Sequence, residues 1–397
     1  MRVLQLVADP GIPLDGHKGA SVHVAAIRAA LERRGHDVVV AAAGAKRDAD
    51  DGRVIAIPVA DEQGFARFRA AARWLDAHHA RIEALGRFDV VLERLALFPG
   101  AGIRLARALG ARHVFEVNAP LAEEMERHRG LTDAAAREAE DDALRASDGL
   151  AVVSRALVER SRRLGRSDAS ILHLPNGVDV ERFARAGDRA RRRSDLGIAA
   201  DACVFVFSGT LKPWHGVDLL LAAFERVFAV RRDAHLLVVG DGPEGESLRA
   251  RASRSLDAGA ITWTGKVAHD DVPALLAAAD VGCAPYPALG DFYFSPLKVG
   301  EYAAAGLPVL RSPGRDMDDL LPEDRGSIVV SAGDTAALAT AMVELVDDPV
   351  RRARAGAAAR AHAADALSWD SRADALERFV HALPMPAPRA RHVSASE

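Results

Sequence analysis

Along this chain, short apolar runs alternate with longer Ala-, Arg- and Leu-rich segments of helical period. An apolar run of about four to eight residues reads as a strand buried on both faces. Strands that alternate with helix-length segments build a parallel sheet with helices on both sides. In the first half the runs lie near Val3–Ala8, Asp37–Ala43, Val54–Val59, Asp89–Leu95, His113–Val117, Gly149–Ser154 and Ile171–Leu174. In the second they lie near Cys203–Ser208, His235–Gly240, Ile261–Gly265, Val281–Pro285, Pro308–Arg311 and Ser327–Val330. Each half can complete its own sheet, so the expected class is α/β with two doubly wound domains. The turn sequence Pro175-Asn176-Gly177-Val178-Asp179 separates them. The expected divisions are 1–177, 178–368, a helix over 369–383 and a disordered tail over 384–397.

A chain of 397 residues is long enough for two independent cores, and 49% apolar with 27% charged residues is a globular balance. A net charge of −4 argues against a general nucleic-acid binder. Cys203 and Cys283 sit inside apolar runs and read as small core residues of a reducing compartment. Met1-Arg2 leads straight into a strand, and no apolar run reaches the ~18 residues of a membrane span. The expected location is cytoplasmic. A helix over Phe65–Leu85 places Phe65, Phe68, Ala72, Leu75, His79 and Ile82 on one stripe, with Arg67, Arg73, Arg81 and Arg87 around it. Core packing with a solvated basic face is the default; peripheral docking at the inner face of an anionic membrane is the alternative.

The densest chemistry lies in Tyr293–Val309, YFSPLKVGEYAAAGLPV. Ser295 is expected to cap a short helix, with Pro296 at its first position and Gly306 closing it in a left-handed turn. The free N–H groups of Leu297 and Lys298 would form a seat for phosphate, to which Lys298 adds a cation. Glu301, one turn on, is acceptor-only and suits a pair of ribose hydroxyls. Together these features suggest a nucleoside diphosphate.

This segment resembles the donor-binding motif of GT-B glycosyltransferases, in particular the large retaining family 4. The family pattern is a Glu, seven residues, a second Glu, an Ala/Gly turn and a strand. Glu301 matches the second Glu, whereas Tyr293 occupies the first position. The resemblance extends to Pro175–Phe183, to RRGHDVVV and to VVGDGPE. It implies two Rossmann-like domains facing across a cleft, with the terminal helix crossing back to the first. It further implies a hexosyltransferase taking a UDP- or GDP-linked sugar as co-substrate, without metal or other cofactor. The acceptor would be a saccharide, a lipid-linked or a small molecule. The usual proposal is retention by front-side attack, assisted by the leaving phosphate, after domain closure.

Ligands of doubly wound sheets bind beyond the carboxyl ends of the strands. Asp15-Gly16-His17-Lys18-Gly19 precedes the helix expected over Val22–Arg34, and the family's glycine-rich loop here implies that Gly19 contacts the diphosphate. In Ser208-Gly209-Thr210-Leu211-Lys212-Pro213-Trp214-His215-Gly216, the family's usual Arg and Lys positions hold Thr210 and His215. The segment resembles a variant with Lys-Pro-Trp-His-Gly, which makes Lys212 the candidate to neutralise the diphosphate. A neutral imidazole at His215 could still form a hydrogen bond. Trp214 reads as packing. Val267, in the loop after the Ile261–Gly265 run, would sit over the nucleobase, and Lys266 reads as solvated. Phe115-Glu116-Val117-Asn118-Ala119-Pro120 resembles the same variant, with Asn118 where many members have His. Asn118 would bond a sugar hydroxyl; Glu116, Glu93 and Arg94 are acceptor-side candidates, with internal pairing as the alternative.

Gly240-Asp241-Gly242-Pro243-Glu244-Gly245 matches a dinucleotide fingerprint by letter, but follows the second strand of its half and contains Pro243. Asp48-Ala49-Asp50 and Asp316-Met317-Asp318 read as loop carboxylates, not as a metal site. Two other functions fit two α/β lobes. One is a non-hydrolysing nucleotide-sugar epimerase, which would turn over without acceptor; the other is a non-catalytic binding protein, which would retain nucleotide without turnover.

Overall fold

The computed structural model describes residues 1–16, 19–49, 51–59, 62–184, 187–257, 259–288 and 293–386. His17 and Lys18 of the first glycine loop, Asp50 and the tail from 387 lie outside the described residues. The chain forms two compact units. The first comprises Met1–Pro175, Tyr293–Ser295 and Trp369–Glu397; the second comprises Asn176–Phe292 and Pro296–Ser368.

The first unit holds β1 (Arg2–Val7), β2 (Asp37–Ala42), β3 (Val54–Ala56), β4 (Val90–Arg94), β5 (Arg112–Val117), β6 (Gly149–Val152) and β7 (Ile171–His173). Their order is β3-β2-β1-β4-β5-β6-β7, with every pairing parallel. The second holds β8 (Cys203–Ser208), β9 (Ala234–Val239), β10 (Ile261–Gly265), β11 (Val281–Ala284), β12 (Val309–Arg311) and β13 (Ser327–Val329), ordered β10-β9-β8-β11-β12-β13 and again parallel. Each apolar run of the sequence becomes a strand. Strand order reverses between β1 and β4 and between β8 and β11, where doubly wound sheets open a ligand crevice.

Both faces of each sheet are covered, which explains the continuous apolar runs. In the second unit Phe205, Phe207, Leu220, Phe224, Leu236 and Val238 pack in one cluster, each worth about 1.5–3 kcal/mol of transfer free energy. Cys203 and Cys283 are buried free thiols of this unit. In the first unit Leu4, Leu6, Val39, Ile55 and Val91 form one cluster, and Phe115, Leu144, Leu150 and Val152 another.

The helix Trp369–Ala382 belongs to the first unit and packs on its first helix, Gly19–Arg33. Arg33 bonds Asp370 at 2.8 Å, and Arg34 bonds Asp374 at 2.8 Å and Glu377 at 2.7 Å. The Trp369 ring meets the edge of His23, with centroids 5.1 Å apart.

Local details differ from the sequence expectations. The first helix starts at Gly19 instead of Val22. The helix expected over 65–85 breaks at His78, giving Phe65–Ala77 and His79–Glu83. His78 leaves helical geometry at φ −118° and ψ 17°; its backbone N–H still donates to the Trp74 carbonyl, and its ring stacks on Trp74 with Nδ1 bonded to the same carbonyl. Ala71, Leu75 and Ile82 are buried, whereas His79 is exposed. The basic face is largely paired: Arg67 donates to the Pro10 carbonyl, Arg73 meets Glu62, and Arg81 meets Asp48. Among the described residues, no helix is long and apolar enough to cross a membrane.

Candidate active site

The short helix Leu297–Ala304 is the organising element of the second unit's site. Every residue from Lys298 to Ala304 is buried, so neighbours on all sides fix its position. The Tyr302 hydroxyl accepts the Ser208 N–H at 2.7 Å, tying the helix to the end of β8. The Tyr302 ring lies so close to Gly282 of β11 that a Cβ there would be 2.4 Å away. Gly306, at φ 76°, ends the helix; its N–H donates to Ala303, and the Leu307 N–H to Tyr302.

The helix start differs from the expectation. Pro296, at φ −75° and ψ 114°, occupies the capping position, and no side chain caps the helix. Ser295 is buried one residue earlier and is not the cap. The first turn contains no acidic residue. Among the described residues the N–H groups of Leu297 and Lys298 meet no backbone acceptor, leaving two donors at the positive helix end.

Lys298 is 7% exposed, and its ammonium lies 3.8 Å from the Phe207 ring centroid and 5.6 Å from that of Tyr286. It borders Gly209, where an added Cβ would stand 3.2 Å from Nζ. Nζ has no hydrogen-bond partner among the described residues. Burial pushes this lysine down to about 7, against the pull of Glu301.

Around it stand the residues of the loop after β8. Lys212 is half-buried, its ammonium 4.6 Å from the Trp214 ring centroid. Thr210 is exposed, and its carbonyl accepts from Nδ1 of His215 at 2.5 Å. A carbonyl cannot donate, so Nδ1 carries the proton and Nε2 is left as an acceptor. Burial, together with Lys298 and Lys212, pushes His215 down to about 3, so the imidazole is neutral. Gly216 has φ 68°, and an added Cβ would lie 1.8 Å from the Pro285 carbonyl oxygen, so only glycine fits. The Gly240–Gly245 loop packs on this same segment: a Cβ at Gly240 would meet the Gly209 oxygen at 2.1 Å. Those glycines thus have a packing reason.

Glu301 is 7% exposed, and its Oε1 receives Nε2 of His269 at 2.8 Å. His269 lies beyond β10, two residues past the half-buried Val267, and packs edge-on to Phe183 at 6.1 Å. Lys266 is exposed. The second unit therefore brings together Gly209, Thr210, Lys212, His215 and the start of the 297–304 helix, with Glu301 beside the β10 loop. Sequence reasoning missed His269, Phe207, Tyr286 and Tyr302. Phe207 is one of an unbroken apolar run, which marks it as buried but not as a neighbour of Lys298, and His269 and Tyr286 carry no local motif.

The first unit gathers a different group. Gly19 opens the first helix and is exposed. Arg94 and Glu116 are register partners at the carboxyl ends of β4 and β5, both at least nine-tenths buried. Nε2 of His23 meets Oε1 of Glu116 at 2.8 Å. Burial raises the Glu116 carboxyl, but His23 and Arg94 outweigh it and hold the group below its ordinary range. Burial lowers Arg94, against the opposing pull of Glu116, Asp9 and Glu124. Among the described residues Nη1 of Arg94, Oε2 of Glu116 and Nδ2 of Asn118 have no hydrogen-bond partner. Two donors and an acceptor thus remain uncommitted.

Glu93 is not part of this group. Strand alternation turns it to the other face, where it meets Nε2 of His113 at 2.8 Å with both side chains buried. That is the internal pair, so Glu93 leaves the acceptor candidates. The Tyr293 hydroxyl donates to Glu124 at 2.9 Å, and burial raises the phenol. Asp48 accepts from the Ala56 N–H at 2.9 Å and pairs with Arg81; Asp318 pairs with Arg311 at 2.6 Å.

A family model described as "Glycosyltransferase Family 4" matches residues 17–182, and one described as "Glycosyl transferases group 1" matches residues 202–348. A GDP-mannose-dependent monoacylated alpha-(1-6)-phosphatidylinositol monomannoside mannosyltransferase of Corynebacterium glutamicum is 32% identical over 242 residues, 60% of this chain and 63% of that protein. A D-inositol 3-phosphate glycosyltransferase of Streptomyces avermitilis is 30% identical over 235 residues, 57% of this chain and 49% of that protein. The matched part thus spans between about half and three fifths of the length of these relatives. Among solved structures, HepE of Anabaena in complex with UDP superposes with a TM-score of 0.74 at 17% identity, covering 96% of this chain and 100% of that one. Sucrose-phosphate synthase of Thermosynechococcus elongatus gives 0.73 at 18% identity, covering 96% and 98%. At such identities the likeness is one of fold.

Proposed function

Because the chain belongs to the GT-B glycosyltransferases of family 4, we propose that it transfers a hexosyl group from a nucleoside-diphosphate sugar to a hydroxyl acceptor, with retention of anomeric configuration. The observation that carries this reading is the start of the 297–304 helix. Two N–H groups without a backbone acceptor among the described residues open that helix, which also carries the buried Lys298, and Glu301 lies one turn on. The diphosphate docks at the helix start, the ribose hydroxyls donate to Glu301, and the base lies along the loop containing Val267. Lys212 adds a second cation, and Thr210 and Gly209 line the approach.

When the glycosidic bond breaks, negative charge grows on the leaving diphosphate. Donors already oriented toward it stabilise that charge by several kcal/mol, without reorganising during the step. His215, neutral and offering Nε2 as an acceptor, suits a sugar hydroxyl better than a phosphate. Asn118 and Arg94 donate to acceptor hydroxyls and Glu116 accepts from one. Gly19, at the start of the first unit's first helix, offers a backbone N–H of the kind that receives an anion. Tyr293 stands where the family pattern has its first Glu, which fits front-side attack assisted by the leaving phosphate. The activities of these relatives favour GDP-mannose as donor and an inositol-containing or lipid-linked acceptor. Such an acceptor would draw the enzyme to a membrane surface.

Thermal shift with GDP, UDP, GDP-mannose and UDP-glucose selects the nucleotide. Incubating the donor so found with phosphatidylinositol or its mannosides, then assigning the new anomeric centre by NMR, tests transfer and retention. A donor that stabilises the protein and an α-linked product are expected. Epimerisation of the donor without acceptor, or binding without any turnover, would overturn the reading.

A further inference from the structure

We propose that Lys298 stands in the ligand-free protein as a buried amine that takes a proton from solvent when a diphosphate group docks at the start of the 297–304 helix, so that donor binding and proton uptake are one event. This rests on the donor-site reading above and specifies how that site acquires its charge.

The geometry carries the inference. Nζ is held between the rings of Phe207 and Tyr286 and against the backbone of Gly209, more than nine-tenths buried and without a hydrogen-bond partner among the described residues. The two rings attract a cation but accept no full hydrogen bond, so the three protons of a lysine ammonium stay undercompensated at this buried position, which is costly. Yet Nζ lies against Gly209, at the start of the loop that carries Lys212, and its own helix opens with two N–H groups lacking a backbone acceptor among the described residues, so a diphosphate docking there supplies both acceptors and countercharge. Because the family's usual Arg and Lys positions hold Thr210 and His215, this lysine becomes the innermost cation of the site.

The charged and titratable neighbours are consistent with this role. On the same helix Glu301 draws the lysine toward the charged form, but it is bonded to His269 of the β10 loop. From the β8 loop, His215 is pushed down to about 3 and stays neutral across the useful pH range. Lys212, on the same loop, is a like charge. Beyond β11, burial raises the Tyr286 phenol, which therefore brings no anion. With burial pushing Lys298 down to about 7, the amine is mostly neutral above that pH and must gain a proton as the anion binds. Balance requires one proton from solvent per donor bound and no other reactant.

Isothermal titration of the full-length protein with GDP-mannose, and with UDP-glucose, tests this without acceptor. A nucleotide sugar is a diphosphate diester with no ionisation of its own near neutrality, so protons taken up belong to the protein. At pH 8 the binding heat should vary with buffer ionisation enthalpy by about one proton per site, and at pH 6 by nearly none. Affinity should fall toward tenfold per pH unit above neutrality. Lys298→Met should bind at least about tenfold more weakly at pH 6 and show no uptake at pH 8. Tyr293→Phe, a change in the first unit, should retain the uptake. Binding without uptake in the wild type, uptake surviving in Lys298→Met, or uptake lost in Tyr293→Phe would each overturn the inference while leaving the glycosyltransferase reading intact. Absence of binding to either nucleotide sugar would overturn both.

Discussion

Nε2 of His269 and Oε1 of Glu301 are 2.8 Å apart, joining the loop beyond β10 to the helix that begins at Leu297. One carboxylate oxygen is thereby fixed, and the other remains for a ligand hydroxyl. Replacing His269 by Ala removes a hydrogen bond to a charged group, worth about 1.5–3 kcal/mol. Donor affinity is expected to fall by roughly tenfold or more, without loss of secondary structure, as calorimetry and circular dichroism would show.

Glu301→Ala should weaken binding of a ribonucleoside diphosphate by about tenfold to a hundredfold. It should have little further effect on the 2′,3′-dideoxy analogue. Equal losses for both nucleotides would mean that Glu301 does not hold the ribose.

Gly216→Ala places a Cβ 1.8 Å from the Pro285 oxygen at φ 68°. The backbones of the β8 and β11 loops must separate, at a cost of about 2–4 kcal/mol. A lower melting temperature together with weaker donor binding is expected, because the displaced loop carries Lys212 and His215.

Lys298 gives the ligand-free protein a specific pH response. Its ordinary value is 10.5 and burial takes it to about 7, so between those limits the unfolded chain holds more protons than the folded one. Stability must then rise with pH through that window, by up to about 1.4 kcal/mol per unit, and is lowest below it, where both states carry the charge. Lys298→Met should melt higher than the wild type at pH 6, and the difference should shrink toward pH 10. Parallel melting curves at both pH values would contradict the assignment.

Tyr293→Phe removes the hydroxyl that donates to Glu124 at 2.9 Å. A loss of about 1 kcal/mol in stability, with donor affinity unchanged, is expected from calorimetry. A marked rise in donor KM would instead give Tyr293 a share in binding the sugar.

The strands were legible because parallel strands covered on both faces are written as unbroken apolar runs, Cys203–Ser208 being a clear case. Boundaries were less so. The stripe from Phe65 to Ile82 keeps helical spacing across His78, where the break lies in the backbone angles, φ −118° and ψ 17°, which no spacing records. The cap of the 297–304 helix was misplaced by one residue, since a serine before a proline reads as a cap whatever its side chain does. Lys298 and Glu301 were conspicuous by their spacing within one helix. His269 was not, because its partner lies on another loop and no local pattern records that pairing. The environment of Lys298 was equally hidden: Phe207 and Tyr286 approach it from the ends of two different strands.

The first unit closes with a helix supplied from the far end of the chain. Arg33, Arg34 and His36 wait for Asp370, Asp374 and Glu377, which are synthesised only after the whole second unit. A nascent chain on the ribosome therefore carries an amino-terminal sheet whose outer layer is unfinished, and the flank of its first helix stays wet until translation is nearly over. The half made first is thus the last to reach its final form, and early termination anywhere before Trp369 would strand it incomplete, a target for proteases.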